Sequence, residues 1–489
     1  MNIRHLTIAI MLINCSFILQ SQTLLTNIIS QKPGNFTYRA ITDSISKHQN
    51  INFSNDASLI PDTLYKYPID STLTIEQWLN RDFINDSCEW ILLESQVIIR
   101  RKRELQQSTN EIISIQGEII GEKEKAIPFA SISICGSNKG TIANEEGLFQ
   151  LSLQKPSSSI QITASSLGYF SDTITILDFT SPLKIRLKEC ITTLPEVTFI
   201  SLNPNTIINR VIEELPQNYP TNYTMLTGFF RETIQKERHY VEVTEAAVLI
   251  NKPSYTNSLA TERVMVEKIR NFKDTTNQGN IGMRLAGGPF HFAKLDIARY
   301  ETFLNSITEK PTYKYIFEGF DTDQGRTVYV VRFKPFIDNE DLLYEGNIFI
   351  DTETSAITSA SFKLTNGSIK KSKSYLIQYE SGNSKSVPLS AEYQISYRPD
   401  GARWILSYVR GELKMRITNK RSRENSVFTA ITELAITESS EGKYQLIKDG
   451  IVHSNEIVAN RATENSQLFW NDFNTIPPLK AVRLLFKEE

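Results

Sequence analysis

The sequence predicts a mainly β protein with minor α, in three parts: a small α+β N-terminal domain over 30–103, a Greek-key β-sandwich over 113–190, and a large antiparallel β-sheet domain with helices over 205–489. Two observations carry this expectation. Between Ile115 and Leu187, short β-rich runs are separated by clusters of Gly, Pro, Asn and Ser. From Gly228 to Ile436, strand-forming runs follow one another with turns as short as Asp321–Gly325, Asp351–Thr354 and Pro399–Gly401, which join antiparallel neighbours.

Within the predicted sandwich, Ile132 and Ile134, and then Phe149, Leu151 and Leu153, alternate with polar residues, so each strand has one face for a core and one for solvent. Gly136, Gly140, Gly147 and Gly168 fall between strands, where positive φ costs glycine little. The phrases Pro128–Thr141, Asn144–Phe149 and Ser165–Tyr169 closely resemble the carboxypeptidase-regulatory-like (prealbumin-like) domain family. That family's sandwich is an accessory module without catalytic zinc, so the resemblance implies a docking or spacing role.

The first residues suggest export. Arg4 and His5 precede the apolar run Leu6–Ile13, and Phe17–Leu19 is followed by a polar stretch, as in a secretory signal peptide (residues 1–21) cut near Ser21. The run is interrupted and shorter than the roughly 20 apolar residues a membrane span needs. Lipidation of Cys15 is the other reading, but Asn14 stands where that signal wants a small residue. Cleavage would leave Cys88, Cys135 and Cys190, spaced too far apart for a C-x-x-C site, and these read as small buried residues.

In the 30–103 domain, Ala40, Ile41, Ile45 and His48 predict a first helix, and Ile51–Phe53 and Leu64–Tyr67 predict strands. Thr74–Gln77 fits a capping box opening a helix whose Ile75, Trp78, Leu79 and Phe83 share one face. Glu89–Leu93 and Val97–Arg100 read as a hairpin. This order resembles the short N-terminal domain of secretins and TonB-dependent receptors, which implies a contact module in the periplasm. The basic cluster Arg100–Arg103 reads as the start of a solvated linker through Glu111. Leu194–Ile200 resembles the segment joining such sandwiches to a receptor plug. The remaining residues are too few for a plug and a 22-stranded barrel, although a small outer-membrane barrel fits by length.

The third region opens with a predicted helix, Thr206–Leu215, ended by Pro216. Strands are expected at 228–233, 240–250, 264–270, 313–317, 327–333, 344–350, 356–364, 391–397, 404–409, 412–417 and 428–436, with a helix near Phe292–Asn305. Phe229–Glu232 and Leu343–Asp351 resemble the C-terminal part of Gram-negative envelope proteins that pair such a sandwich with a domain of unknown function. The second phrase, with Thr354–Ile357, also resembles the curved sheet of lipoprotein-carrier (LolA-like) folds, which implies an apolar groove between sheet and helix.

Charge is balanced, with Lys+Arg 53 against Asp+Glu 55, and gives no reason to expect a nucleic-acid partner. His239–Glu242 has the His-x-x-Glu spacing of a zinc carboxypeptidase, with His291 or His453 as the third ligand. On a strand, however, residues three apart face opposite ways. Gly282–Pro289 lacks the lysine of a phosphate loop and reads as a close backbone approach. Asp321–Gly325 has calcium-like spacing without the later Glu, so a hairpin explains it, and Asp338–Asp341 reads as a solvated loop. The sequence therefore assigns no catalytic, cofactor-binding or metal-binding residue. It predicts a non-enzymatic periplasmic protein, associated with the outer membrane, that binds an envelope partner or an apolar or extended ligand. A zinc carboxypeptidase-like hydrolase and a small outer-membrane barrel are the alternatives.

Overall fold

Alternation of apolar and polar residues along a strand decides which side chains enter a core, as burial along Leu148–Gln154 shows. The computed structural model describes residues 26–29, 32–49, 51–55, 66–70, 72–83, 88–93, 95–101, 112–156, 158–190, 202–257, 259–274, 283–285, 288–299, 304, 312–337, 342–380, 383–421, 423–444, 446, 450–462, 470 and 473–486. The expected signal peptide with Cys15, the joining segment Leu194–Ile200 and the loop Asp338–Asp341 lie outside these residues. The chain divides into two bodies, Met1–Asn110 and Glu111–Glu489.

The first body contains β1 (Gly34–Thr37), α1 (Tyr38–Gln49), β2 (Asn52–Asn55), β3 (Lys66–Ile69), α2 (Ile75–Phe83), β4 (Cys88–Leu93) and β5 (Gln96–Arg101). β1 pairs with β3, and β5 lies between parallel β2 and antiparallel β4. Ile41, Ile45, Trp78, Leu79, Val97 and Ile99 form its core. The capping box closes both ways: Gln77 N donates to Thr74 Oγ1 at 3.2 Å, and Thr74 N donates to Gln77 Oε1 at 3.0 Å.

The second body opens with the sandwich: β6 (Ile112–Ile120), β7 (Ser131–Ile134), β8 (Gly140–Ile142), β9 (Leu148–Gln154), β10 (Ile160–Ser165), β11 (Asp172–Ile176) and β12 (Leu183–Arg186). Its sheets run β11-β10-β7-β8 and β12-β6-β9, closing over Ile119, Ile132, Phe149, Leu151, Ile162 and Ile185. Gly147 has φ +75°, and a Cβ there would sit 2.6 Å from Ile119 O, so the turn needs glycine twice over. Gly140 differs from expectation. It opens strand β8, and it is required because a Cβ would approach Ile132 O to 2.7 Å. Cys135 also departs from the expected burial: it is exposed, its Sγ 3.2 Å from Thr163 Oγ1, while Cys190 is half-buried.

The large sheet follows two helices, α3 (Pro204–Glu213) and α4 (Leu215–Asn218). Asn203 Oδ1 caps α3 by accepting from Asn205 N at 3.0 Å, and Pro204 takes a first-turn position. The further elements are β13 (Thr224–Lys236), β14 (His239–Lys252), β15 (Arg263–Lys273), β16 (Met283–Leu285), α5 (Gly288–Lys294), β17 (Tyr313–Asp323), β18 (Arg326–Pro335), β19 (Tyr344–Asp351), β20 (Ile357–Leu364), α6 (Asn366–Ile369), α7 (Lys373–Leu376), β21 (Ile377–Glu380), β22 (Ser384–Asp400), β23 (Arg403–Asn419), β24 (Glu424–Glu441) and α8 (Lys480–Phe486). Ten strands form one antiparallel sheet in the order β15-β14-β13-β24-β23-β22-β20-β19-β18-β17. Among the described residues its edge strands β15 and β17 do not pair with each other, and the sheet they bound is open.

Two elements differ from expectation. The runs 404–409 and 412–417 belong to one strand, β23, that passes through Gly411 without breaking. The helix expected at Phe292–Asn305 lies earlier, at Gly288–Lys294; beyond it Asp296 and Arg299 enter buried ion pairs, and residues 300–303 and 305 lie outside the described residues.

One face of the sheet carries α3, α5, α6 and α7. The other carries the sandwich, where Phe129 and Ile142 pack with Phe229, Tyr408, Ala435 and Ile476. Phe129 stacks on Tyr408 at 5.9 Å, and Gly168 N donates to Thr322 O at 2.8 Å. The sandwich is thus built onto the sheet and does not hang from a free linker within this body.

Candidate functional site

Side chains of β13, β19, β20, β22, β23 and β24 that point to the helical face make a floor of Tyr344, Leu364, Tyr393, Leu413 and Ala430, with Glu232 and Thr432 as its polar members. α5 supplies one wall through His291, Phe292 and Lys294, continued by Leu295, and Tyr375 and Leu376 of α7 stand opposite. Between them is a mostly apolar cavity of about 290 Å³, near the lower end of the roughly 300–1,000 Å³ that ligand pockets span.

Glycine makes the near wall. A Cβ at Gly411 would come within 2.8 Å of the Phe292 ring and 3.3 Å of Tyr393 Cδ1, so the bare backbone lets Phe292 rest on the sheet. Tyr393 stacks on Phe362 at 5.5 Å, and Tyr344 meets Phe362 edge-on at 5.5 Å. Burial pushes the Tyr344 hydroxyl up to about 12 and that of Tyr393 further still, so both remain neutral.

A buried ionic cluster behind α5 sets its position. Lys252 Nζ lies 2.7 Å from Asp296 and 3.1 Å from Glu262, and it donates to Ala293 O, within the helix, at 2.9 Å. Arg299 pairs with Glu262 at 3.2 Å, while the Tyr255 and Tyr397 hydroxyls donate to Asp296 at 2.7 and 2.6 Å. Two cations thus face two carboxylates, each supported by further hydrogen bonds, which is the condition under which buried charge is tolerated. On the far wall, β16 pairs with β21, tying the chain before α5 to the chain after α7.

The residues singled out for chemistry do not converge. His239 is exposed at the start of β14, whereas Glu242 is buried and accepts from Asn271 Nδ2 at 3.0 Å. His453 is exposed, and the His291 ring Nε2 lies 3.0 Å from Ser454 O. Burial, reinforced by the charge of Lys294, holds the His291 imidazole below its ordinary range. Among the described residues, no group of three His, Cys, Asp or Glu is arranged to hold a metal. Asp321–Gly325 is a hairpin turn in which Gln324 and Gly325 both have positive φ, and Asp323 turns inward to accept from Thr358 and Ser359 at 2.6 and 2.7 Å. Of Gly282–Pro289, Gly288 makes the close approach, since its Cβ would lie 2.9 Å from Val458. Sequence reasoning singled out His291 for zinc and missed the rest of the cavity. The resemblance of Leu343–Asp351 to lipoprotein-carrier folds implied a groove without naming its lining, and Gly411, a glycine between two strand-like runs, was a local signal.

The fold is therefore a β-sandwich fixed to one face of an open antiparallel sheet, with a helix-roofed apolar cavity on the other. Residues 115–199 match the family model described as CarboxypepD_reg-like domain, and the sandwich is of that type. No curated protein matches the chain. Solved structures similar to it include three from bacteria. A putative outer membrane lipoprotein-sorting protein domain from Vibrio parahaemolyticus is 10% identical, with a TM-score of 0.23, over 50% of this chain and 96% of that one. A DUF1329 family protein from Desulfovibrio piger is 9% identical, with a TM-score of 0.23, over 50% and 96%. A LolA superfamily protein from Nitrosomonas europaea is 10% identical, with a TM-score of 0.23, over 51% and 99%.

Proposed function

We propose that this protein is a non-enzymatic binding or adaptor protein of the cell envelope, exported to the periplasm and associated with the outer membrane, which holds an apolar or extended ligand between its large sheet and helices. The observation that carries this reading is the cavity bounded by Phe292, Leu295, Tyr344, Leu376, Tyr393 and Leu413, with polar groups confined to a few positions. Glu232 and Thr432 at the floor and Lys294 at the rim would orient a ligand that has a polar end. The body formed by Met1–Asn110 serves as a contact module, in keeping with the order of its elements.

The test is titration of the purified full chain with N-phenyl-1-naphthylamine. Saturable binding is expected, and Ala430→Trp, which fills the floor, weakens it at least tenfold with an unchanged melting temperature. Dye binding equal in the variant, or no saturable binding, overturns the reading. Zinc-dependent peptide release lost in His239→Ala would replace it with a hydrolase.

A further inference from the structure

One cross-strand row runs almost the full width of the sheet on the face that carries the sandwich. From β18 it reads, in direct register, Arg332, Asn347, Ser361, Gln394 and Arg410. It continues through Glu433, Arg231 and Glu245 to Arg270 on β15. Every member is polar, although a sheet face under a packed domain would ordinarily be apolar.

The second half of the row is buried and holds a piece of this chain's own backbone. Arg231 is set by Glu245 at 2.7 Å, and Glu245 is held in turn by Arg270 at 2.6 Å. The Arg231 guanidinium then donates to the carbonyls of Ile476 at 2.5 Å and Pro477 at 3.5 Å. The sandwich reads the same segment: Asn144 Nδ2 donates to Pro477 O at 3.1 Å, and the Asn474 amide exchanges two hydrogen bonds with the backbone of Ser152 on β9. Segment 474–478 is neither helix nor strand; Ile476 and Pro477 are held by their main-chain carbonyls, and Asn474 by its side-chain amide.

The first half of the row is open. Arg332, Asn347, Ser361, Gln394 and Arg410 line a concavity of about 360 Å³ that faces solvent. Among the described residues, Asn347, Ser361 and Gln394 have no side-chain hydrogen bond, and Arg410 Nε is buried without a partner where the open and buried halves meet. Around the concavity, Glu318, Glu345 and Glu392 balance Arg332, Lys363 and Arg410, three charges against three. That balance disfavours an anionic headgroup or a nucleic acid, each of which needs an excess of positive charge.

We propose that this open half is a docking groove for an extended peptide segment of a partner polypeptide, laid across the strands as 474–478 is and recognised through its main-chain carbonyls. Continuity with the seated segment supports the assignment, because one row in one register would serve both. The groove lies on the face opposite the apolar cavity, so it adds a second kind of ligand to the binding role.

The probe is a fluorescein-labelled peptide copying Phe473–Lys480, titrated into the full-length protein and followed by anisotropy. Saturable binding is expected, weakened at least tenfold in Ser361→Trp, by a smaller factor in Asn347→Ala/Gln394→Ala, and unchanged in Ala430→Trp. Equal binding in Ser361→Trp would mean that the peptide merely competes for the seat of its parent segment, and this overturns the proposal. No saturable binding overturns it too. So does Ser361-dependent binding of phosphatidylglycerol vesicles without peptide binding, which would make the groove a headgroup site.

Discussion

The two faces of the large sheet are made by the same strands, one residue out of step, and they exclude different things. On the helical face Phe230 and Ile234 enter apolar cores, one group of buried charges lies behind α5 around Lys252 and Asp296, and buried Glu242, opposite Ile234, accepts from Asn271. On the sandwich face their neighbour Arg231 lies in a polar row that grips backbone carbonyls. The contrast teaches that a buried strand need not be apolar on both sides. β13 tolerates Arg231 at 4% exposure because Glu245, Glu433 and two carbonyls surround it.

The contrast can be broken from either side. Lys252→Ala should have the largest effect: it strands Glu262 and Asp296 with one cation fewer, and breaking such a buried pair costs about 3–5 kcal/mol. Chemical denaturation should show that loss, and N-phenyl-1-naphthylamine binding should fall because α5 loses its anchor. Gly147→Val should cost about 2–4 kcal/mol from backbone strain and the collision with Ile119 O. A melting curve checks this, and an unchanged transition would show that the turn does not need glycine. In a folded fraction of that variant the cavity, on the other face, should still bind the dye.

Gly411→Val should cost about 1–3 kcal/mol by pushing Phe292 off the sheet. Dye affinity should drop more than stability does, whereas peptide binding in the open groove should persist. The smallest effect concerns pH. Burial raises the Asp323 carboxyl above its ordinary range, so the folded state holds its proton more tightly than the unfolded chain does. The stability this confers is complete below the ordinary aspartate value of about 3.9 and is lost as pH rises through the raised value. Asp323→Asn should therefore flatten the dependence of melting temperature on pH; a slope equal to that of the parent would refute it.

Much of the fold was legible because it is written locally. Thr74 and Gln77 announced α2 through a reciprocal cap, and Pro399–Gly401 placed the turn between the hairpin partners β22 and β23. The site was less legible. Phe292, Tyr393 and Leu413 look like any core residues in sequence, and only their spacing around Gly411 leaves a cavity instead of a filled core. Gly411 itself misled, since glycine is a sign of a strand end as well as of close packing. The helix expected at Phe292–Asn305 is found at Gly288–Lys294, and beyond it Asp296 and Arg299 pair with partners distant in sequence, Lys252 and Glu262, which no local pattern announces.

By itself, then, the sequence determined a mainly β chain, the sandwich with its obligatory glycine at 147, and the strands with their in-and-out alternation, because each depends on neighbours a few residues away. Tertiary structure decided the order of the ten strands, the seating of the sandwich on one face, the cavity on the other and the polar row. Those features depend on register between strands as distant as β13 and β24, and a shift of one residue would have exchanged Phe230 with Arg231 and turned each face into its opposite.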